Sequence, residues 1–231
     1  MGLRAAQLDE RRPQPLGDGP ADLLDVTLER VVHDCRPHAH LRRLALGGPP
    51  PVLPSLYQSS CRACAPCALC PALRVPYVLD AVAQLRDLGV RIGSTTGYND
   101  KMMDVVVPCA AEQGNSPDFW ITPDAVGGKG RPWPFMVFRN MEALAVDDVL
   151  HVAKAGDTVS DIKEGVAAGV FSVGVVEGSS VMGLSEDEYA ALDEDAREDA
   201  CARAERVFRE AGADAVIRNF EELPALMRQI G

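Results

Sequence analysis

Val149-Leu150-His151-Val152-Ala153-Lys154-Ala155-Gly156-Asp157-Thr158-Val159-Ser160-Asp161 reads as a buried strand that closes on a glycine and an acid, turns, and opens a helix. Ligand sites of open parallel sheets lie at such strand ends. Asp157 and Asp161 are spaced to serve one Mg²⁺, a hard cation commonly held by one or two carboxylates, waters and a phosphate. The competing reading is simpler: Asp161 complements the positive end of the new helix while Asp157 sits in the turn.

Outward from this stretch, apolar runs and helical periodicity alternate as in an α/β layered domain with a parallel sheet. A helix opens at Pro76, with the proline in its first turn, runs through Val78, Val82 and Leu85, and stops at Gly89. The pattern then predicts strand 90–94, helix 99–112, strand 118–121, helix 132–145, strand 149–155, helix 160–168, strand 170–176, helix 186–211, strand 214–217 and helix 219–229. Pro108 should kink or shorten the helix that contains it. His151 is expected as a packed core residue, and Glu186, Glu188, Glu194 and Glu198 as a solvated helical face.

Before residue 74 the chain changes character. Residues 1–73 hold ten of the seventeen prolines, eight Arg, no Lys and seven acids, a net charge of +1, whereas 74–231 carry −12. Only 21–33 reads there as a helix. A boundary near 73 therefore divides an irregular Pro/Arg/Cys-rich segment, 1–73, from an α/β core, 74–231. An arginine- and proline-rich stretch without lysine is also what a GC-rich gene read in a shifted frame produces. The total charge of −11 excludes a general nucleic-acid binder, which needs a basic footprint. No apolar run approaches the ~20 residues of a membrane span, and Asp9, Glu10, Asp18, Asp22 and Asp25 interrupt any secretory leader. The expectation is a cytoplasmic protein that touches neither membrane nor nucleic acid.

An acidic metal site that takes phosphate also needs donors for the phosphoryl oxygens. Gly93-Ser94-Thr95-Thr96-Gly97 follows a strand and offers hydroxyls and N–H groups. Gly130-Arg131-Pro132 sets a cation before a helix, with Lys129 as a rival. The order of Thr96, Arg131 and Asp157 with Asp161 resembles motifs two to four of the haloacid dehalogenase superfamily. Within it, Gly93-Ser94-Thr95-Thr96-Gly97-Tyr98, Met102-Met103-Asp104, Pro117-Asp118-Phe119, Thr122-Pro123-Asp124, Gly130-Arg131-Pro132, Gly156-Asp157-Thr158-Val159-Ser160-Asp161 and Gly178-Ser179-Ser180 resemble the phosphonoacetaldehyde hydrolase family over about 74–231.

The resemblance implies a Rossmann-like parallel sheet and Mg²⁺-dependent cleavage of the carbon–phosphorus bond of phosphonoacetaldehyde, a small phosphonate, to acetaldehyde and phosphate. It also implies a homodimer. Thr96 and Arg131 would hold the phosphoryl oxygens, Asp157 would ligate the metal, and Asp161 would anchor it through water or hydrogen bonds. Two family parts have no match. The nucleophilic aspartate belongs to an Asp-x-Ala-Gly-Thr sequence ending the first strand, for which Asp25-Val26-Thr27 is a poor substitute within an expected helix. The imine-forming lysine of the cap is also missing, since no lysine precedes Lys101. The first strand and the cap are thus expected to be missing or replaced, and the chain to be inactive as written. Met1-Gly2-Leu3 echoes a short cap sequence and would put Ala5 at the lysine position.

Two rivals follow: a non-catalytic relative that binds phosphate or phosphonate, and a cysteine-rich metal module on a degenerate hydrolase domain. The second rests on Cys61-x-x-Cys64-x-x-Cys67-x-x-Cys70, a density that holds zinc or an iron–sulfur cluster.

Overall fold

The computed structural model of the chain describes residues 23–26, 77–112 and 114–230. Six parallel strands form one sheet in the order β3-β2-β1-β4-β5-β6: β1 (Leu23–Val26), β2 (Arg91–Thr95), β3 (Phe119–Ile121), β4 (Val152–Gly156), β5 (Phe171–Val175) and β6 (Ala215–Ile217). The α/β reading therefore holds, with one correction at its centre. Leu23–Val26, expected within a helix, is a strand between β2 and β4, so the first strand of the sheet is present and is made from this stretch. Three apolar residues around Asp25 are too short a run to separate the two periodicities, and pairing on both edges supplies what local pattern lacks. The proposed boundary near 73 and the four clustered cysteines lie outside the described residues.

Strand parity sorts the core into two layers. On one face, Ile92, Ala153, Ala155, Val173, Val175 and Ile217 pack with helices α1 (Val78–Asp87) and α7 (Leu223–Ile230). On the other lie α3 (Phe135–Ala143), α4 (Val159–Ala168) and α6 (Glu194–Glu210). Val152 joins Val137 and Met141 in this second layer, and Phe208 packs with Ile162 and Val176. Two strand glycines permit the approach: a Cβ on Gly93 would meet Asn140 of α3 at 2.5 Å, and one on Gly174 would meet Phe208 of α6 at 2.7 Å.

Several element ends differ from the pattern, each for a local reason. Helix α2 (Asp100–Glu112) runs through Pro108 unshortened. Pro108 and Asp104 are both exposed, so the carbonyl that loses its donor faces water. Helix α3 starts at Phe135 rather than 132, because Pro132 and Pro134 flank a turn in which Trp133 N–H donates to the Gly130 carbonyl. Residues 149–151 form a 3₁₀ turn capped by the Asp148 carboxylate, so β4 begins at Val152 and His151 is half-buried outside the strand. The long helix at 186–211 is two, α5 (Glu186–Ala190) and α6, because Asp193 caps a fresh start by accepting the Ala196 N–H.

Candidate active site

The carboxyl ends of β2 and β4 bring the predicted groups to one edge of the sheet. At the end of β2 the Asn140 side chain grips the Ser94 backbone: Oδ1 accepts the Ser94 N–H at 3.2 Å and Nδ2 donates to its carbonyl at 3.3 Å. This fixes the exit of the strand just before Thr96. Thr96 is buried, and its Oγ1 accepts the Tyr98 N–H at 3.1 Å. A hydroxyl that accepts in this way keeps its proton for donation to an anion.

Arg131 does not stand at a helix N-terminus. Its Nη1 donates instead to Asp161 Oδ1 at 2.6 Å, with a side chain only 9% exposed and Asp161 fully buried. Asp161 is the third residue of α4 and closes a capping box with Thr158. Its Oδ2 accepts the Thr158 N–H and hydroxyl, while Thr158 Oγ1 accepts the Asp161 N–H. Gly156 makes room for this carboxylate, since a Cβ there would stand 2.3 Å from Asp161 Cβ. Burial alone would raise the Asp161 pKa. The charges of Lys154 and Arg131 and the hydrogen bonds from Thr158 and Arg131 outweigh burial and hold it below its ordinary 3.8.

Asp157 is buried beyond the end of β4, and its carbonyl accepts the Ser180 N–H and hydroxyl at 3.3 and 3.2 Å. The Gly178-Ser179-Ser180 stretch is thereby tied to the same edge. A pocket of about 300 Å³ opens beside these groups, lined by Gly97, Pro123, Gly128, Gly130, Arg131, Trp133 and Ser160. Of the predicted groups Arg131 lines it directly, and Gly97 and Ser160 are the chain neighbours of Thr96 and Asp161. Lys129, the rival cation, is exposed and sits 5.4 Å from the centre of the Phe135 ring.

Mg²⁺ keeps several waters and binds through one or two carboxylates and substrate oxygens. Asp157, buried just beyond β4, is the carboxylate that would hold such a hydrated ion. Asp161 suits a supporting place, because Arg131 and Lys154 meet its Oδ1 and Thr158 occupies Oδ2. No group of three His, Cys, Asp or Glu side chains arranged for a metal occurs among the described residues.

The register of β1 decides where Asp25 stands. Asp25 is level with Gly93 and Lys154, three residues before Thr96 and Asp157 along their strands. At a rise of about 3.3 Å per residue, its backbone lies roughly 10 Å short of that edge. A nucleophile serving this site belongs at the edge.

The sequence reading missed Lys154, Thr95, Glu164 and Asn140, all buried around the site. Lys154 was the visible signal, as a lysine inside an apolar strand must find partners.

No family model matches the chain. The phosphonoacetaldehyde hydrolase of Lysinibacillus sphaericus is 49% identical over 156 residues, 68% of this chain and 58% of that protein. The Bacteroides fragilis enzyme of the same name is 47% identical over 156 residues, covering 68% and 59%. Over this stretch the chain is a homologue of the phosphonoacetaldehyde hydrolases. It spans about six tenths of the length of these curated relatives. The crystal structure of a phosphonoacetaldehyde hydrolase-like protein from Oleispira antarctica matches this homologue with a TM-score of 0.65 and 30% identity, over 68% of this chain and 56% of that one. A haloacid dehalogenase family hydrolase from Deinococcus radiodurans, solved with bound phosphate and sodium, matches with a TM-score of 0.57 and 18% identity, over 93% and 98%. The homologue has the haloacid dehalogenase fold.

Proposed function

We propose that this chain is a phosphoryl- and Mg²⁺-binding domain of the phosphonoacetaldehyde hydrolase type, which takes small phosphonates or phosphate without cleaving the carbon–phosphorus bond. The observation that carries the reading is Arg131 at the wall of the pocket, held by buried Asp161 one turn beyond Asp157. Thr96 donates its hydroxyl to one phosphoryl oxygen and Arg131 donates to others, while Asp161 keeps the guanidinium in place. Mg²⁺, when bound at Asp157, neutralises charge on the phosphoryl group. Thr96, Arg131 and Asp157 are the groups meant to touch ligand or metal, and Asp161 acts through Arg131.

Cleavage is left out because two parts of the chemistry lack residues. Asp25 stands short of the edge by register, and residues 1–100 of this sequence hold no lysine to form an imine with an aldehyde. The same reading takes a cytoplasmic homodimer as the working state. No helix among the described residues is long and apolar enough to cross a membrane.

The test joins two measurements on the full chain. Calorimetry with inorganic phosphate and Mg²⁺ should show saturable binding that Arg131→Ala abolishes. Incubation with phosphonoacetaldehyde and Mg²⁺ should release no phosphate above the blank. Catalytic release of phosphate would overturn the non-catalytic part, and absence of phosphate binding would overturn the whole.

A further inference from the structure

Strand β4 carries a lysine on the face where it meets α4, next to the site but not in it. Lys154 and Glu164 have fully buried side chains. Lys154 Nζ stands 3.2 Å from Glu164 Oε2 and 3.5 Å from Asp161 Oδ1, and it donates to Thr95 Oγ1 at 2.7 Å. The Thr95 hydroxyl donates in turn to Glu164 Oε2 at 2.9 Å. A Cβ on Gly165 would lie 3.2 Å from Lys154 Cβ and 2.4 Å from Ser172 Oγ, so α4 lies close over this pair.

Two cations thus share one oxygen of Asp161. Arg131 takes it from the pocket side, and Lys154 takes it from within the sheet. Buried ion pairs cost several kcal/mol of desolvation per ion, and well-packed apolar residues often serve stability equally well. Stability alone gives little reason for a charged pair here. Its position gives one: whatever part of the Asp161 charge Lys154 neutralises no longer neutralises Arg131.

We infer that Lys154 and Glu164 are positioning residues that set how much positive charge Arg131 presents to an anionic ligand, Lys154 by drawing on Asp161 and Glu164 by restraining Lys154. The inference rests on the reading of Arg131 as the phosphoryl-binding group. It makes the two residues act with opposite sign. Removing the Glu164 charge strengthens Lys154 on Asp161 and makes the site more positive. Removing Lys154 leaves Asp161 to Arg131 and makes the site more negative. A pair with only a structural role would weaken binding in either variant.

The experiment is calorimetric titration of the full chain with inorganic phosphate at fixed ionic strength, using native protein, Glu164→Gln, Lys154→Met and the double variant, each checked by circular dichroism. Glu164→Gln should bind phosphate roughly tenfold more tightly and Lys154→Met roughly tenfold more weakly, with the double variant back within about threefold of native. Lys154→Met strands a buried carboxylate; if it does not fold, Glu164→Gln and the double variant carry the test. Unchanged or weaker binding by a folded Glu164→Gln overturns the inference. Failure of the native chain to bind phosphate removes the proposed function and this inference with it. Native binding with Glu164→Gln weakened removes this inference alone.

Discussion

Gly156→Ala tests the coupling of the sheet to the site at its tightest contact. The added Cβ would stand 2.3 Å from Asp161 Cβ, 2.6 Å from its Cγ and 2.9 Å from its Oδ2. Carbon atoms rest at about 3.5–4.0 Å, so the first turn of α4 must retreat by about 1.5 Å. That movement carries the 2.6 Å contact between Arg131 and Asp161 to about 4 Å, beyond hydrogen-bond range. Overpacking costs about 1–3 kcal/mol, and a buried carboxylate losing donors adds about 1–3 kcal/mol. A total near 2–6 kcal/mol is a large share of the ~5–15 kcal/mol that stabilises a domain. In urea, with a slope of about 2 kcal/mol per M, the unfolding midpoint should fall by about 2 M. Phosphate affinity, measured on the folded protein, should fall by at least about tenfold as Arg131 loses its anchor. Gly169→Ala is the control: φ is +76° and no atom lies within 4 Å of the added Cβ, so only the left-handed backbone is penalised, by about 1 kcal/mol. If Gly156→Ala unfolds within about 1 kcal/mol of native and binds phosphate equally well, the packing reasoning fails.

Three further outcomes are expected. Asp161 has its pKa depressed in the folded state, so its contribution is fully present above its ordinary 3.8 and is lost as pH falls from there through the lower folded value; urea unfolding should show Asp161→Asn much weaker than native at pH 7, with the gap narrowing steadily as pH is lowered below 3.8. The Tyr189 phenol is pushed up to about 12, first by burial and then by Cys201 and Glu177 against the pull of Arg218, so a spectrophotometric titration should show one tyrosine ionising late, a step that Tyr189→Phe removes. Asp25→Asn should leave phosphate affinity within about twofold of native, because its strand position lies short of the site, and a larger loss would place Asp25 in the site.

Strands β3 to β6 were legible because each is built on a short apolar run, and β2, with Ile92 as its one large apolar residue, because Gly89, with φ of +83°, marks the turn that ends the helix before it. β1 was not, since its four residues draw their structure from both neighbours rather than from their own pattern. The order of motifs proposed Thr96, Arg131, Asp157 and Asp161 as one candidate site; in the structure Thr96 and Asp157 follow the ends of β2 and β4, and Arg131 pairs with Asp161. Their coupling was not legible. Arg131 and Asp161 are 30 residues apart, and only the packing of α4 on the sheet reveals that they hold each other. Lys154, a charge inside an apolar strand, was an overlooked sign of the buried network, and its partners Thr95 and Glu164 come from different elements and carry no shared spacing.

The place of β1 also bears on how the sheet is assembled. β2 and β4 pair with β1 and not with each other, so the sheet is two smaller ones, β3-β2 and β4-β5-β6, bridged by four residues. Residues 27–77 separate that bridge from α1 along the chain. Without β1, two inner edges would carry rows of unpaired N–H and C=O groups. The middle of the sheet is thus a slot one strand wide, and whatever fills it is graded by backbone pairing on both edges and by side-chain fit.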